Sequence, residues 1–233
     1  MVTNSNTRIY VIIPAHNEEA AIAQVIKELP TDLIEQVVVV NNASTDQTAV
    51  VAQKAGALVL EEPIPGYGRA CLRGIAHVNK RARAHDIVVF LDGDYSDYPA
   101  QLPNVIRPLL EEDKDLVIGS RNLGKRATGS MTPQQVFGNW LATLLIRLFY
   151  GVRYTDLGPF RAIRIGKLTE LAMCDTTYGW TVEMQVKAAK RRYQVAEVPV
   201  DYRRRIGTSK ISGTVKGTIL AGYKIITTIF KCL

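Results

Sequence analysis

Five apolar residues in a row, Ile87-Val88-Val89-Phe90-Leu91, stop on Asp92-Gly93-Asp94. A short run with no polar alternation reads as a strand covered on both faces, and such strands belong to parallel sheets flanked by helices. Its end delivers two carboxylates to one edge of the sheet. In open α/β folds the crevice beyond the carboxyl ends of the strands is where ligands bind. Two aspartates there repel each other unless a cation sits between them. An all-oxygen pair of this kind suits Mg2+ or Mn2+, ions that usually hold a diphosphate as well.

The rest of the chain is punctuated to match. Strand-like runs are expected at residues 9–13, 37–40, 57–60, 87–91, 116–118 and 195–200. Helical patterns fall between them at about 18–29, 46–55, 68–84, 99–110 and 133–150, with shorter ones near 166–173 and 180–192. Strict alternation in the first half predicts an α/β fold with a mostly parallel central sheet. The 233 residues, 47% hydrophobic and 22% charged, suffice for one large domain with a substantial core. That domain is expected to span residues 1–210, with an amphipathic helical tail over 211–233.

Net charge is +7, which favours phosphorylated ligands, nucleic acid or an anionic membrane surface without choosing among them. Three cysteines without paired spacing argue against a disulfide framework or a zinc site, and fit a reducing cytosolic compartment. No segment offers the ~20 predominantly apolar residues of a membrane span, because Lys216 and Lys224 interrupt the tail. The expectation is a cytoplasmic protein, soluble or peripheral on the cytoplasmic membrane face.

Two polar loops join the acidic strand end. After the first strand comes Pro14-Ala15-His16-Asn17-Glu18-Glu19, where Pro is expected to end the strand and the polar residues to cap the next helix. After the second comes Asn41-Asn42-Ala43-Ser44-Thr45-Asp46, with Ser44 or Thr45 as a candidate cap. All three strand ends converge at one edge of the sheet.

At this point the sequence resembles the family 2 glycosyltransferases, which have the GT-A (nucleotide-diphospho-sugar transferase) fold. The matching blocks are Ile12–Glu19, Val40–Asp46 and Leu91–Asp94, then Gly119-Ser120-Arg121, Asp156-Leu157-Gly158-Pro159-Phe160-Arg161-Ala162 and Arg204-Arg205-Ile206-Gly207-Thr208-Ser209-Lys210. The last three look most like the dolichyl- or polyprenyl-phosphate sugar transferase branch. The likeness covers nearly the whole chain.

The resemblance implies roles position by position. Pro14, Ala15, Asn17 and Glu18 would line the nucleotide pocket, with Asn42 and Asp46 at the base and Gly68 in a glycine-containing donor loop. Asn41-Asn42 stands where many relatives have two aspartates, so UDP- and GDP-sugars both stay open. Asp92, Gly93 and Asp94 would meet metal and diphosphate, while Ser96 replaces a glutamine that is often the further ligand. Arg204, Ser209 and Lys210 would fold over the phosphates, Arg suiting bidentate contacts and Lys a point contact. Arg121 either faces an acceptor phosphate or pairs with Asp113 or Asp115. Glu183 or Asp156 would serve as general base if the acceptor is a hydroxyl; a phosphate acceptor is already ionised and needs none.

The implied activity is inverting transfer of a sugar from a nucleotide-diphospho-sugar to an acceptor, with polyprenyl phosphate as the leading reading. The same fold acting on a soluble or glycan hydroxyl is the alternative, and a sugar-nucleotide nucleotidyltransferase a more distant one. Nucleic-acid binding would explain the charge but not an acidic strand end. Residues 137, 140, 141, 144, 145, 148 and 149 form a broad apolar face, either core or lipid-facing, and Ile211, Val215, Ile219, Ile226 and Phe230 form a second stripe. With Arg203–Arg205 and the tail lysines, such a face suits an anionic bilayer interface. Homo-oligomerisation is left open.

Overall fold

The computed structural model describes residues 7–207 and 215–231, and within 215–221 the backbone alone. Seven strands form: β1 (Ile9–Ala15), β2 (Gln36–Asn42), β3 (Leu58–Glu62), β4 (Ile87–Phe90), β5 (Leu116–Ser120), β6 (Arg161–Arg164) and β7 (Val195–Pro199). Among them run α1 (Ile22–Lys27), α2 (Thr48–Lys54), α3 (Tyr67–Val78), α4 (Leu102–Glu111), α5 (Pro133–Tyr150), α6 (Ile165–Leu171), α7 (Trp180–Lys190) and α8 (Val215–Lys231). One sheet holds all seven strands in the order β3-β2-β1-β4-β6-β5-β7.

Only β6 runs antiparallel to its neighbours, pairing with β4 and β5. The other six strands therefore point the same way, and β1, β2, β4 and β5 all end at one edge. The mostly parallel sheet is as expected, but β6 was not foreseen. Its four residues begin and end on arginine, which hides it from an apolar pattern.

Alternate residues of each central strand feed two cores, which is why the strands read as unbroken apolar runs. Tyr10 and Ile12 face a core shared with Cys71 of α3, Ile146 of α5, Leu168 of α6 and Trp180 of α7. Val11 and Ile13 face the other, with Ile22 of α1, Ala52 of α2 and Leu109 of α4. The C-terminal helix α8 lies against α5 and α7, buries Ile229 fully, and takes a hydrogen bond at the Ile229 carbonyl from the Tyr150 hydroxyl.

Several boundaries shift for physical reasons. Pro14 does not end its strand: β1 continues to Ala15, paired with β2 through Ala15↔Asn41. The Ile9 carbonyl accepts from Glu35 on the β2 side and the Ile12 carbonyl from Leu91 on the β4 side. Pro14, two residues beyond Ile12, thus turns its missing N–H toward β4, whose pairing with β1 stops at Ile12↔Phe90. The loops that follow do not cap helices as expected either. Neither α1 nor α2 has a side-chain cap at its N-cap residue; the loop side chains instead accept from backbone N–H groups of the other loop.

Candidate active site

The chain leaves β4 and turns sharply. Tyr95 adopts a left-handed φ of 64°, and Ser96 folds back so that its N–H and hydroxyl both donate to Asp94 Oδ1. Ser96 is thus spent on orienting Asp94. The second oxygen, Asp94 Oδ2, meets Arg205 NH1 at 3.0 Å. Asp92 Oδ1 accepts from the Tyr67 hydroxyl at 3.1 Å. Burial first, then the charge of Asp94, pushes the Asp92 carboxyl up to about 7, against the pull of Arg205 and Tyr67. Asp97 is fully buried, and burial followed by Asp92 and Asp94 raises it well above the carboxylate range. Its Oδ1 has no hydrogen-bond partner.

This edge therefore gathers three carboxyl groups on oxygen donors alone, and burial with crowding pushes two of them toward the neutral form. That donor set fits a hard divalent cation. Among the described residues no group of three His, Cys, Asp or Glu is arranged to hold a metal ion by itself. Asp92 and Asp94 are the residues that could do so, with diphosphate and water oxygens as the remaining ligands, a common arrangement for Mg2+.

The two polar loops beside the acid pair are bonded to each other. Asn17 N–H donates to Ser44 Oγ at 3.0 Å, and Asn17 Oδ1 accepts from Thr45 N–H at 2.8 Å. Glu18 N–H reaches Thr48 Oγ1 at 2.8 Å, while Asp46 accepts from Glu19 and Thr48 N–H groups. Asn42 uses every amide atom: Nδ2 donates to the Glu62 and Ile64 carbonyls, and Oδ1 accepts from Gly66 N–H at 2.7 Å. An aspartate could not donate those two bonds. The asparagine thus anchors the segment that leads into α3.

A cavity of about 500 Å3 opens over these strand ends. Of the residues singled out in the sequence, Pro14, Ala15, Glu18, Asn42, Asp92, Gly93, Asp94 and Arg121 line it. Others do not reach its wall. Asn17 and Asp46 form the bonds between loops. Gly68 packs on the 175–177 backbone, where a Cβ would come within 2.1 Å of the Asp175 carbonyl, although Gly66 and Tyr67 beside it do line the cavity. Arg204 is exposed and donates to the Thr128 carbonyl at 2.7 Å. Ser209 and Lys210 lie outside the described residues.

The remaining candidates form two buried clusters. Arg121 pairs neither with Asp113 nor with Asp115. It grips Asp156 in a fork, Nε to Oδ2 at 2.8 Å and NH2 to Oδ1 at 2.7 Å, and lies 5.0 Å over the Tyr202 ring. Burial works against its charge, but the Asp156 carboxylate outweighs that and raises it. Glu183 is likewise committed, to Lys187 at 2.7 Å and to the N–H groups of Cys174 and Asp175. Burial opposes ionisation of Glu183, yet these donors hold it below its usual range. Neither Asp156 nor Glu183 lines the cavity.

Tyr67, Tyr202 and Arg205 reach the wall without having been singled out. Tyr202 and Arg205 sit on a strap after β7 that zips onto the acidic turn: Arg203 N–H donates to the Ser96 carbonyl at 2.9 Å and Ile206 N–H to the Asp94 carbonyl at 3.0 Å. In a run of three arginines only this pairing distinguishes which one reaches the cavity.

A parallel sheet with ligand loops at one edge, an acid pair and a cavity of this size define a GT-A nucleotide-sugar transferase fold. The profile of Glycosyl transferase family 2 matches residues 10–172, and the chain belongs to that family. It is 33% identical over 213 residues to a glycosyltransferase of uncharacterised activity from Mycobacterium tuberculosis, covering 91% of this chain and 93% of the relative. It is 30% identical over 226 residues to the undecaprenyl-phosphate mannosyltransferase of Micrococcus luteus, covering 90% of each. Among solved structures, glucosyl-3-phosphoglycerate synthase from M. tuberculosis in complex with Mn2+ and UDP-glucose aligns at 25% identity and a TM-score of 0.74, over 99% of this chain and 80% of the other. The same synthase with phosphoglyceric acid also present gives a TM-score of 0.77 at 24% identity, over 99% and 81%. The protein is a glycosyltransferase, and the nucleotidyltransferase alternative is left without support.

Proposed function

We propose that the protein transfers a hexosyl group, with inversion, from a UDP- or GDP-sugar to a hydroxyl on a soluble or glycan acceptor. The reading is carried by the acid edge beneath a cavity in a fold shared with a synthase that binds Mn2+, UDP-glucose and the soluble phosphoglyceric acid. In this reaction the acceptor hydroxyl oxygen bonds to the anomeric carbon as the bond from that carbon to the diphosphate breaks, and the hydroxyl proton passes to water in the open cavity, since neither Asp156 nor Glu183 lines it. The electron pair stays on the diphosphate. Asp92 and Asp94 would hold Mg2+ or Mn2+, which would supply positive charge to the leaving diphosphate. Pro14, Ala15, Glu18 and Asn42 shape the nucleotide side, and Arg121, fixed by Asp156, presents a cation toward the acceptor side.

Polyprenyl phosphate, the acceptor first expected from the sequence, is the second reading. It draws support from the M. luteus relative. It also draws support from the engagement of Asp156 and Glu183 in buried bonds, since an ionised phosphate needs no base. The soluble acceptor has the stronger support from the solved neighbours.

Thermal shift with UDP-, GDP- and dTDP-sugars, each with and without Mn2+, tests the donor. Stabilisation by one nucleotide only with metal supports the reading; no metal-dependent shift overturns it. Turnover of that donor with phosphoglycerate, a free glycan or polyprenyl phosphate then separates the acceptors.

A further inference from the structure

Among the described residues, the positive group that meets the acid pair is a side chain, Arg205. Its NH1 lies 3.0 Å from Asp94 Oδ2, while Asp94 Oδ1 is taken by the Ser96 N–H and hydroxyl. Asp94 therefore has one oxygen to offer a cation, and Arg205 is on it. The strap behind it is fixed. Arg203 is held by Glu28 at 2.7 Å and stacked 4.3 Å from the Tyr98 ring, and the backbone is bonded to the acidic turn on both sides of Arg205. The Arg205 side chain reaches from this anchored backbone into the cavity and is 26% exposed there. Asp94, Asp92 and Glu18 all act on its charge.

Resting on the nucleotide-sugar reading, we propose that Arg205 is an exchangeable counter-cation. It neutralises Asp94 before donor binds, competes with the divalent ion for Asp94 Oδ2, and turns to the donor's diphosphate once that ion is in place. Two cations cannot share one carboxylate oxygen without repulsion, so each weakens the other there. A guanidinium displaced from a carboxylate finds in diphosphate another anionic oxygen pair that it binds in bidentate fashion. The exchange keeps Asp94 matched by a positive charge in both states. Arg204, turned outward onto Thr128, has no part in it.

The test is Mn2+ binding to the full chain without nucleotide, read from the electron paramagnetic resonance of the free aquo ion. Wild type, R205Q, R205K and R204Q are compared. R205Q is expected to bind Mn2+ about tenfold more tightly, with R205K and R204Q within about twofold of wild type. At saturating Mn2+, R205Q is expected to bind the nucleotide chosen by the donor panel, UDP or GDP, about tenfold more weakly. R205M repeats the measurement if R205Q does not fold. Mn2+ affinity that is unchanged or weaker in R205Q overturns the competition, and unchanged nucleotide affinity overturns the transfer to diphosphate. If no variant binds Mn2+ with or without nucleotide, the metal-dependent donor reading itself falls, and this proposal with it.

Discussion

The two sides of the cavity are held by different means. On the donor side, Asn17, Ala43 and Tyr95 take left-handed φ values of 54°, 53° and 64° just beyond the ends of β1, β2 and β4. Strained non-glycine residues cost about 1 kcal/mol or more each and persist only where surrounding bonds over-determine them. Here the bonds are Asn17 to Ser44 and Thr45, Glu18 to Thr48, and Ser96 to Asp94. On the opposite side the wall is built from α5 and α8, held by apolar packing such as the Phe149–Phe230 edge contact at 5.0 Å. That side leaves Phe137, Trp140 and Leu148 more than half exposed. The donor side is shaped in advance; the other side presents surface.

The comparison is broken most severely at Asp94. With Ser96 bonded to one oxygen and Arg205 to the other, Asp94→Asn removes the negative charge while keeping the size. The expected loss is about 10²–10³ in kcat, the range seen for removing one preorganised electrostatic group. Steady-state assays at saturating Mn2+ measure it, with fold checked by circular dichroism.

Next comes the Arg121–Asp156 fork, whose side chains are 11% and 1% exposed. Asp156→Ala leaves a guanidinium without its partner in a buried place. About 3 kcal/mol of stability should be lost, the low end for breaking a buried pair because Arg121 keeps some solvent and the Tyr202 ring. Urea denaturation gives the value. A loss under 1 kcal/mol would show that the acceptor-side wall does not depend on this pair.

Asp92 sharpens the donor side through pH. Its carboxyl, raised to about 7, favours the neutral form in the folded state. The stability this gives is complete below about pH 4, the unfolded value, and is lost as pH rises through 7. Asp92→Asn is fixed neutral. Without metal it should therefore be more stable than wild type by about 2 kcal/mol at pH 8 and equal to it at pH 4. The full displacement would give about 4 kcal/mol at 1.36 per pH unit, and solvent at this half-buried carboxyl reduces it. Melting in EDTA across that range reads the difference, and wild type with Mn2+ should close it.

The same contrast explains what could be read from the sequence. The edge carrying Asp92 and Asp94 was legible because a parallel strand covered on both faces has an unmistakable composition. Helix α5 was legible from its apolar pattern, and its observed bounds are fixed by a capping box between Thr132 and Gln135 and by Gly151 closing it at a φ of 69°. Strand β6 was not. Its Arg161 is fully buried against the carbonyls of Leu157, Gly158 and Thr181, and burial pulls it down to about 10. Those carbonyls come from two separate segments, so no local pattern announces the arginine as interior. Arg205 was missed in favour of Arg204 for the same reason, the choice being made by bonds to a turn over a hundred residues away. Asn42 looked like a departure from an acidic pair, and its need for an amide appears only when residues 62–66 lie beside it.

The smallest effect on stability is expected at the exposed face, where it matters for partners. Over α5 and α8 together the sequence holds no Asp or Glu, while Arg147 and Lys231 are present and Lys224 is ion-paired with Asp175 at 2.9 Å. No described helix is long and apolar enough to cross a membrane. An aromatic face beside basic residues suits an anionic bilayer interface, each basic side chain adding about 1 kcal/mol near such a surface. Changing Phe137, Trp140 and Leu148 together to serine should move folding stability by less than about 1 kcal/mol, since all three are more than half exposed. Co-flotation with phosphatidylserine or phosphatidylglycerol vesicles should fall several-fold if this face meets lipid, and transfer to a lipid-linked acceptor should fall with it. Unchanged flotation with the triple variant would remove the lipid role and leave a soluble acceptor as the reading for this side of the cavity. Both outcomes leave donor binding untouched, because none of the three residues lines the cavity.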